Sequence, residues 1–144
     1  MFQRVIIAGN LGGDPQMRYT PTGVPVTSFS VATNRRWTDA NGNPQERTVW
    51  FRVTAWRKLA ETCNQYLSKG RQVLVEGELE PDPQTGGPRL WQDRDGNWRA
   101  SYEVTAREVR FIGSAGQGGA ASMGGAVGGA EDTGGPLGEE DLPF

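Results

Sequence analysis

The 144-residue chain has one cysteine, Cys63, and no histidine, which excludes an intrachain disulfide, imidazole acid–base chemistry and the common histidine-bearing zinc sites. Its net charge of −2 would argue against a polyanionic partner, but residues 1–112 hold all 15 Lys and Arg against 12 Asp and Glu, a balance of +3. Five acids and no base lie beyond, giving −5 there, so a weakly basic domain is joined to an acidic tail.

The only apolar run near the N-terminus, Val5 to Ala8, is too short for a signal sequence or a membrane span, and the expectation is a soluble intracellular protein. A first strand covers Arg4–Gly9, ends at the turn-rich GNLGGDP, and is continued raggedly by Arg18 and Tyr19. TPTG turns the chain into a second strand, from about Val24 to Asn34, and residues 39–45 are dense in turn formers. The third strand, TVWFRVTAW from Thr48 to Trp56, has two distinct faces. Val49, Phe51, Val53 and Ala55 make an apolar row, while Thr48, Trp50, Arg52, Thr54 and Trp56 point the other way. Over Arg57–Lys69, Leu59, Ala60, Cys63, Tyr66 and Leu67 fall on one helical stripe, and Gly70 stands at the expected stop. A fourth strand, Gln72–Glu80, puts Val73, Val75, Gly77 and Leu79 on one face. An excursion follows with Arg89, Leu90 and Trp91, then Trp98 after an Asp95-Gly96-Asn97 turn. The last strand, Ala100 to Ile112, shifts its apolar phase between Ala106 and Val109, which predicts a bulge.

This order predicts a mainly β domain over residues 1–112: an OB-fold five-stranded barrel with one helix between strands 3 and 4. A barrel closes the sheet and so leaves no exposed edges. Beyond it, residues 113–138 form a Gly/Ala-rich linker and residues 139–144 an acidic tip. Such a tail buries too little apolar surface to offset its ordering entropy and is expected to be disordered.

Catalytic chemistry finds no foothold. No two carboxylates form a convincing pair in an apolar setting, and Cys63 lies on the helix's apolar stripe without an activating base. GNLGGDP matches neither common phosphate-cradling glycine motif. The expectation is a non-enzyme with no cofactor and no metal. The five tryptophans, Trp37, Trp50, Trp56, Trp91 and Trp98, each have an arginine nearby, and Trp50 and Trp56 share a face with Arg52. Exposed indoles mixed with guanidiniums suit single-stranded nucleic acid, whose bases stack on rings while cations neutralise the backbone. The same composition also suits a face covered by another subunit. The tip, Glu139-Glu140-Asp141-Leu142-Pro143-Phe144, has the chemistry of a docking peptide for a basic-rimmed hydrophobic pocket.

GNLGGDPQMRYTPTG, VATNRRW, TVWFRVTAWRKLAE, YLSKGRQVLVEGEL and the terminal EEDLPF together resemble the bacterial single-stranded DNA-binding protein family along the whole chain. The resemblance implies an OB-fold that binds single-stranded DNA without strong sequence preference, commonly as a homotetramer in the bacterial cytoplasm. It implies base stacking on Trp37, Trp50, Trp56 and Trp91; the neighbouring Arg35, Arg36, Arg52 and Arg89 are the expected phosphate contacts, with Arg52 also placed for base stacking. It also implies recruitment of replication, recombination and repair proteins through Glu139, Glu140, Asp141, Leu142, Pro143 and Phe144. The chain departs from the family pattern at three places. Trp56-Arg57 stands where Phe-Gly is common, and Phe51 where His is common, at a position associated with subunit contacts. Glu80 and Asp82 fall in a segment that is usually basic.

Overall fold

The computed structural model describes residues 1–113. Its elements are β1 (Val5–Leu11), β2 (Gln16–Tyr19), β3 (Pro25–Thr38), β4 (Pro44–Trp56), α1 (Lys58–Tyr66), β5 (Gln72–Leu79), β6 (Arg89–Gln92) and β7 (Trp98–Phe111). Apart from Gly113, the expected linker and the tip lie outside the described residues.

Five strands, β1, β5, β7, β4 and β3, follow one another by hydrogen bonding, and β3 returns to β1 through Asn10↔Ala32 and Leu11↔Val31. The sheet therefore closes into the expected barrel, with the helix between the third and fourth of its strands in chain order. All its pairings are antiparallel except β4–β7, which runs parallel from Phe51↔Tyr102 to Thr54↔Thr105. Two short strands flank the barrel. Arg18 and Tyr19 do not extend β1 but belong to β2, which pairs with β3. Arg89 to Gln92 form β6, which makes a hairpin with the start of β7.

Closure demands close backbone approach at two corners. A Cβ on Gly9 would collide with the Ala32 carbonyl, and one on Gly77 with the Thr105 carbonyl. Beside Gly77 the register steps from Glu76↔Glu108 to Gly77↔Ala106, leaving Arg107 as the extra residue of a bulge. This is where the apolar phase of the last strand shifts.

Val31, Val53, Val73, Val75 and Val104 fill the interior, with Ile7, Leu11 and Phe29 around them. The helix packs on this core through Ala60 and Cys63, joined by Leu67 just beyond its end, and the buried Thr27 hydroxyl donates to the Ala60 carbonyl at 2.7 Å. The helix is shorter than its stripe. Its last bond runs from Leu67 N–H to the Cys63 carbonyl. Beyond it the Asp14 carboxylate accepts from Lys69 N–H and the Leu11 carbonyl from Gly70 N–H. Tertiary acceptors thus take the amides that another helical turn would need, and Tyr66 remains exposed against Phe111.

The second and third predicted strands are also longer than their apolar patterns. Their register continues from the barrel out to Thr38↔Pro44, so the β3–β4 hairpin projects as a ribbon. Its turn is set by Asp39, whose Oδ1 accepts from the amides of Asn41 and Asn43, with Gly42 at φ 80°. The β6–β7 hairpin repeats the device: Asp93 Oδ1 accepts from Asp95 and Asn97, and Gly96 has φ 79°. Hydrogen bonds from the Asn43 and Asn97 amides hold the Asp39 and Asp93 carboxyls below the usual carboxylate range. Both turns bond their Asp through ionised oxygen, so protonation in acid weakens them.

Candidate nucleic-acid interface

The strand TVWFRVTAW alternates in three dimensions as it does in sequence. Val53 and Ala55 are fully buried and Phe51 half-buried, whereas Trp50, Arg52 and Trp56 face outward. Pairing fixes what surrounds them. Trp50 stands opposite Ala32, Arg52 opposite Ser30, Thr54 opposite Ser28 and Trp56 opposite Val26. The small residues of β3 make a low floor, so the large side chains of β4 stand over a trough. Farther out, Arg18 of β2 pairs with Val26 and so shares the face of Trp56.

Two depressions of about 280 and 380 Å³ occupy this trough and meet at Ser28 and Arg52. The first runs beneath Trp50 along Gly12 to Asp14; the second is lined by Trp56, Arg18, Arg89 and two acids, Glu80 and Glu103. Gly12 lies against the Trp50 ring so closely that a Cβ there would stand 2.5 Å from Cζ3. The first loop thereby holds the indole, which remains 54% exposed.

The β6–β7 hairpin extends the same face. Arg89 pairs with Ser101 and Trp91 with Arg99, and the Trp91 Nε1–H donates to Ser101 Oγ at 2.8 Å. Ser101 shares strand parity with Glu103, which is the register partner of Arg52. Trp91, Arg89, Arg52, Trp50 and Trp56 are therefore gathered on one outer surface, although they come from two strands, β4 and β6, that do not pair with each other. Trp98 takes the opposite parity, with Leu90, Ala100 and Tyr102, and is 69% exposed on the other side of the hairpin.

Trp37 also departs from the main surface. It pairs with Gln45 and carries the parity of the core row, on the ribbon face opposite Trp50. Beyond the barrel that row has no core to cover, and Trp37 meets the guanidiniums of Arg35 and Arg47, 5.8 and 5.6 Å from its ring centre. Arg36 has the parity of Trp50 and lies 3.6 Å from Glu46.

Arg18 escapes sequence reasoning because QMRY is too short to show a period, yet it enters the trough without an ion pair to any described residue. Glu103 is equally silent in the sequence, since a parallel pairing across the fold brings it beside Arg52. Nothing here has the geometry of a reaction centre. Burial pushes the Cys63 thiol up to about 11, so it remains a protonated packing group at neutral pH. Among the described residues no group of three or more Cys, Asp or Glu is placed to hold a metal ion.

A sequence model of the single-strand binding protein family matches residues 2–112. The chain belongs to that family. Two Neisseria meningitidis relatives named single-stranded DNA-binding protein are each 44% identical over 110 residues, covering 76% of this chain and 59% of theirs. A Chlorobaculum tepidum relative, single-stranded DNA-binding protein 1, is 40% identical over 120 residues, 83% of this chain and 70% of its own. The match thus spans little more than half the length of the Neisseria relatives. A solved Plasmodium falciparum SSB in complex with single-stranded DNA has the same fold, with a TM-score of 0.63 at 24% identity over 78% of this chain and 97% of that one. A deletion mutant of the Thermus aquaticus single-stranded DNA binding protein gives 0.60 at 28% identity, covering 78% and 51%.

Proposed function

We propose that this chain binds single-stranded DNA without strong sequence preference, protects it, and recruits enzymes of replication, recombination and repair through Glu139 to Phe144. One observation carries the reading: three exposed indoles and the guanidiniums of Arg18, Arg52 and Arg89 share a continuous outer face of the barrel. Splayed bases stack on Trp50, Trp56 and Trp91, which every base can do because each has a π-face, while phosphates follow the arginines. Trp50 and Trp56 are six residues apart on one strand, about 20 Å, so they serve separate bases on one path. A strand that continues round the edge of the β3–β4 ribbon reaches Trp37 with Arg35, and Arg36 flanks that route. The names of the relatives support this ligand.

A domain of net charge +3 holds a polyanion weakly by itself, so several copies acting together, a homotetramer in the bacterial cytoplasm, belong to the proposal. Residues 1–112 bind, 113–138 tether, and 139–144 dock. Titration with oligo(dT) of graded length at low salt should quench tryptophan fluorescence without cleavage in Mg²⁺, and oligo(U) should compete poorly. Trp50→Ala and Trp56→Ala should each cost about 1–3 kcal/mol of binding. Removing residues 139–144 should spare DNA binding and abolish partner capture. Absence of quenching by oligo(dT) overturns the reading.

A further inference from the structure

The central arginines of the proposed path already have an anion. Glu103 Oε1 lies 3.9 Å from Arg52 Nε and 3.6 Å from Arg89 Nη1. The glutamate side chain is only 18% exposed, against 55% and 62% for the two arginines. It stands on a barrel strand, with its backbone carbonyl bonded to Glu80 N–H at 2.8 Å. The Glu80 carboxylate, which accepts from Thr105 Oγ1 at 3.1 Å, adds a second negative charge to the same groove.

Neither contact of Glu103 reaches hydrogen-bonding distance, so the N–H donors of Arg52 and Arg89 are neutralised without being consumed. We propose that Glu103 is an internal competitor of the DNA phosphate: a positioning residue that holds the two arginines over the groove and lowers their grip on a polyanion. The inference rests on the single-stranded DNA reading above. A phosphodiester that bridges Arg52 and Arg89 must approach the mostly buried carboxylate that lies between them. The two like charges repel at short range, in a trough where water screens them less than at an open surface. The middle of the path is therefore its weakest electrostatic segment, while the flanking indoles keep their stacking. A strand held in this way is released and shifted more easily than one held by unopposed arginines.

Glu103→Gln preserves the side chain's shape and removes its charge. Its Kd for oligo(dT) at low salt should fall roughly 3- to 30-fold. The plot of log affinity against log salt should steepen by about 0.7 as one further phosphate contact becomes effective. Glu108→Gln removes the same charge from β7 at a site bonded to Arg110 and outside both depressions, and should change Kd less than about twofold. If Glu103→Gln lowers the melting point, Glu103→Thr, which a strand accepts readily, takes its place with the same expected gain. Unchanged or weaker binding by a folded Glu103 variant overturns the inference and leaves the DNA reading intact. Failure of the unaltered chain to bind oligo(dT) overturns both.

Discussion

Arg57 is the one non-glycine residue with positive φ among those described, at φ 59° and ψ −128°. That conformation mirrors the first central residue of a type II turn, where glycine fits without steric cost and a side chain does not. The backbone holds it there, because Arg57 N–H donates to the Pro25 carbonyl and Glu61 N–H to the Arg57 carbonyl. The departure from Phe-Gly to Trp-Arg thus keeps a turn built for glycine. Arg57→Gly should relieve about 1 kcal/mol of strain and raise the melting temperature by several degrees. Oligo(dT) binding should change only by the loss of one cation. A melting point that stays level or falls would show that the turn stores no strain.

The two projecting hairpins separate what was legible in the sequence from what was not. Strict alternation in TVWFRVTAW was sufficient to assign both of its faces, because one face is buried and a slip in register would exchange them. No such signal exists in Arg35-Arg36-Trp37 or in Arg89-Leu90-Trp91, where neither side meets the core and the apolar pattern fades. The apolar pattern therefore stops short of the strand ends and assigns no face to Trp37 or Trp98. The pairing assigns them, and it divides the β6–β7 hairpin into two sides. Trp91→Ala should cost about 1–3 kcal/mol of oligo(dT) binding. Trp98→Ala, on the other side, should leave affinity within about twofold. Equal losses would mean that the strand wraps the hairpin and uses both faces.

At the scale of the molecule, segment order and the phase shift at Ala106 were sufficient to foresee the barrel, the helix position and the bulge. The proposed site was legible only in part, because it is assembled across strands distant in the chain. Trp50, Arg52 and Trp56 announce themselves on one strand, whereas Arg18 and Glu103 enter through pairings that no local pattern records. The same is true of the parallel seam between β4 and β7. It joins Phe51 to Tyr102 and has no hairpin to guide it, so its closure carries the entropy of a long loop. The trough lies across that seam, with Arg52 on one bank and Glu103 and Arg89 on the other. A nucleic-acid strand lying in it would bridge two strands that meet only through this seam. Bound DNA should therefore act as a kinetic brace, raising the melting temperature with oligo(dT) concentration and slowing unfolding most for oligonucleotides long enough to cross from one bank to the other.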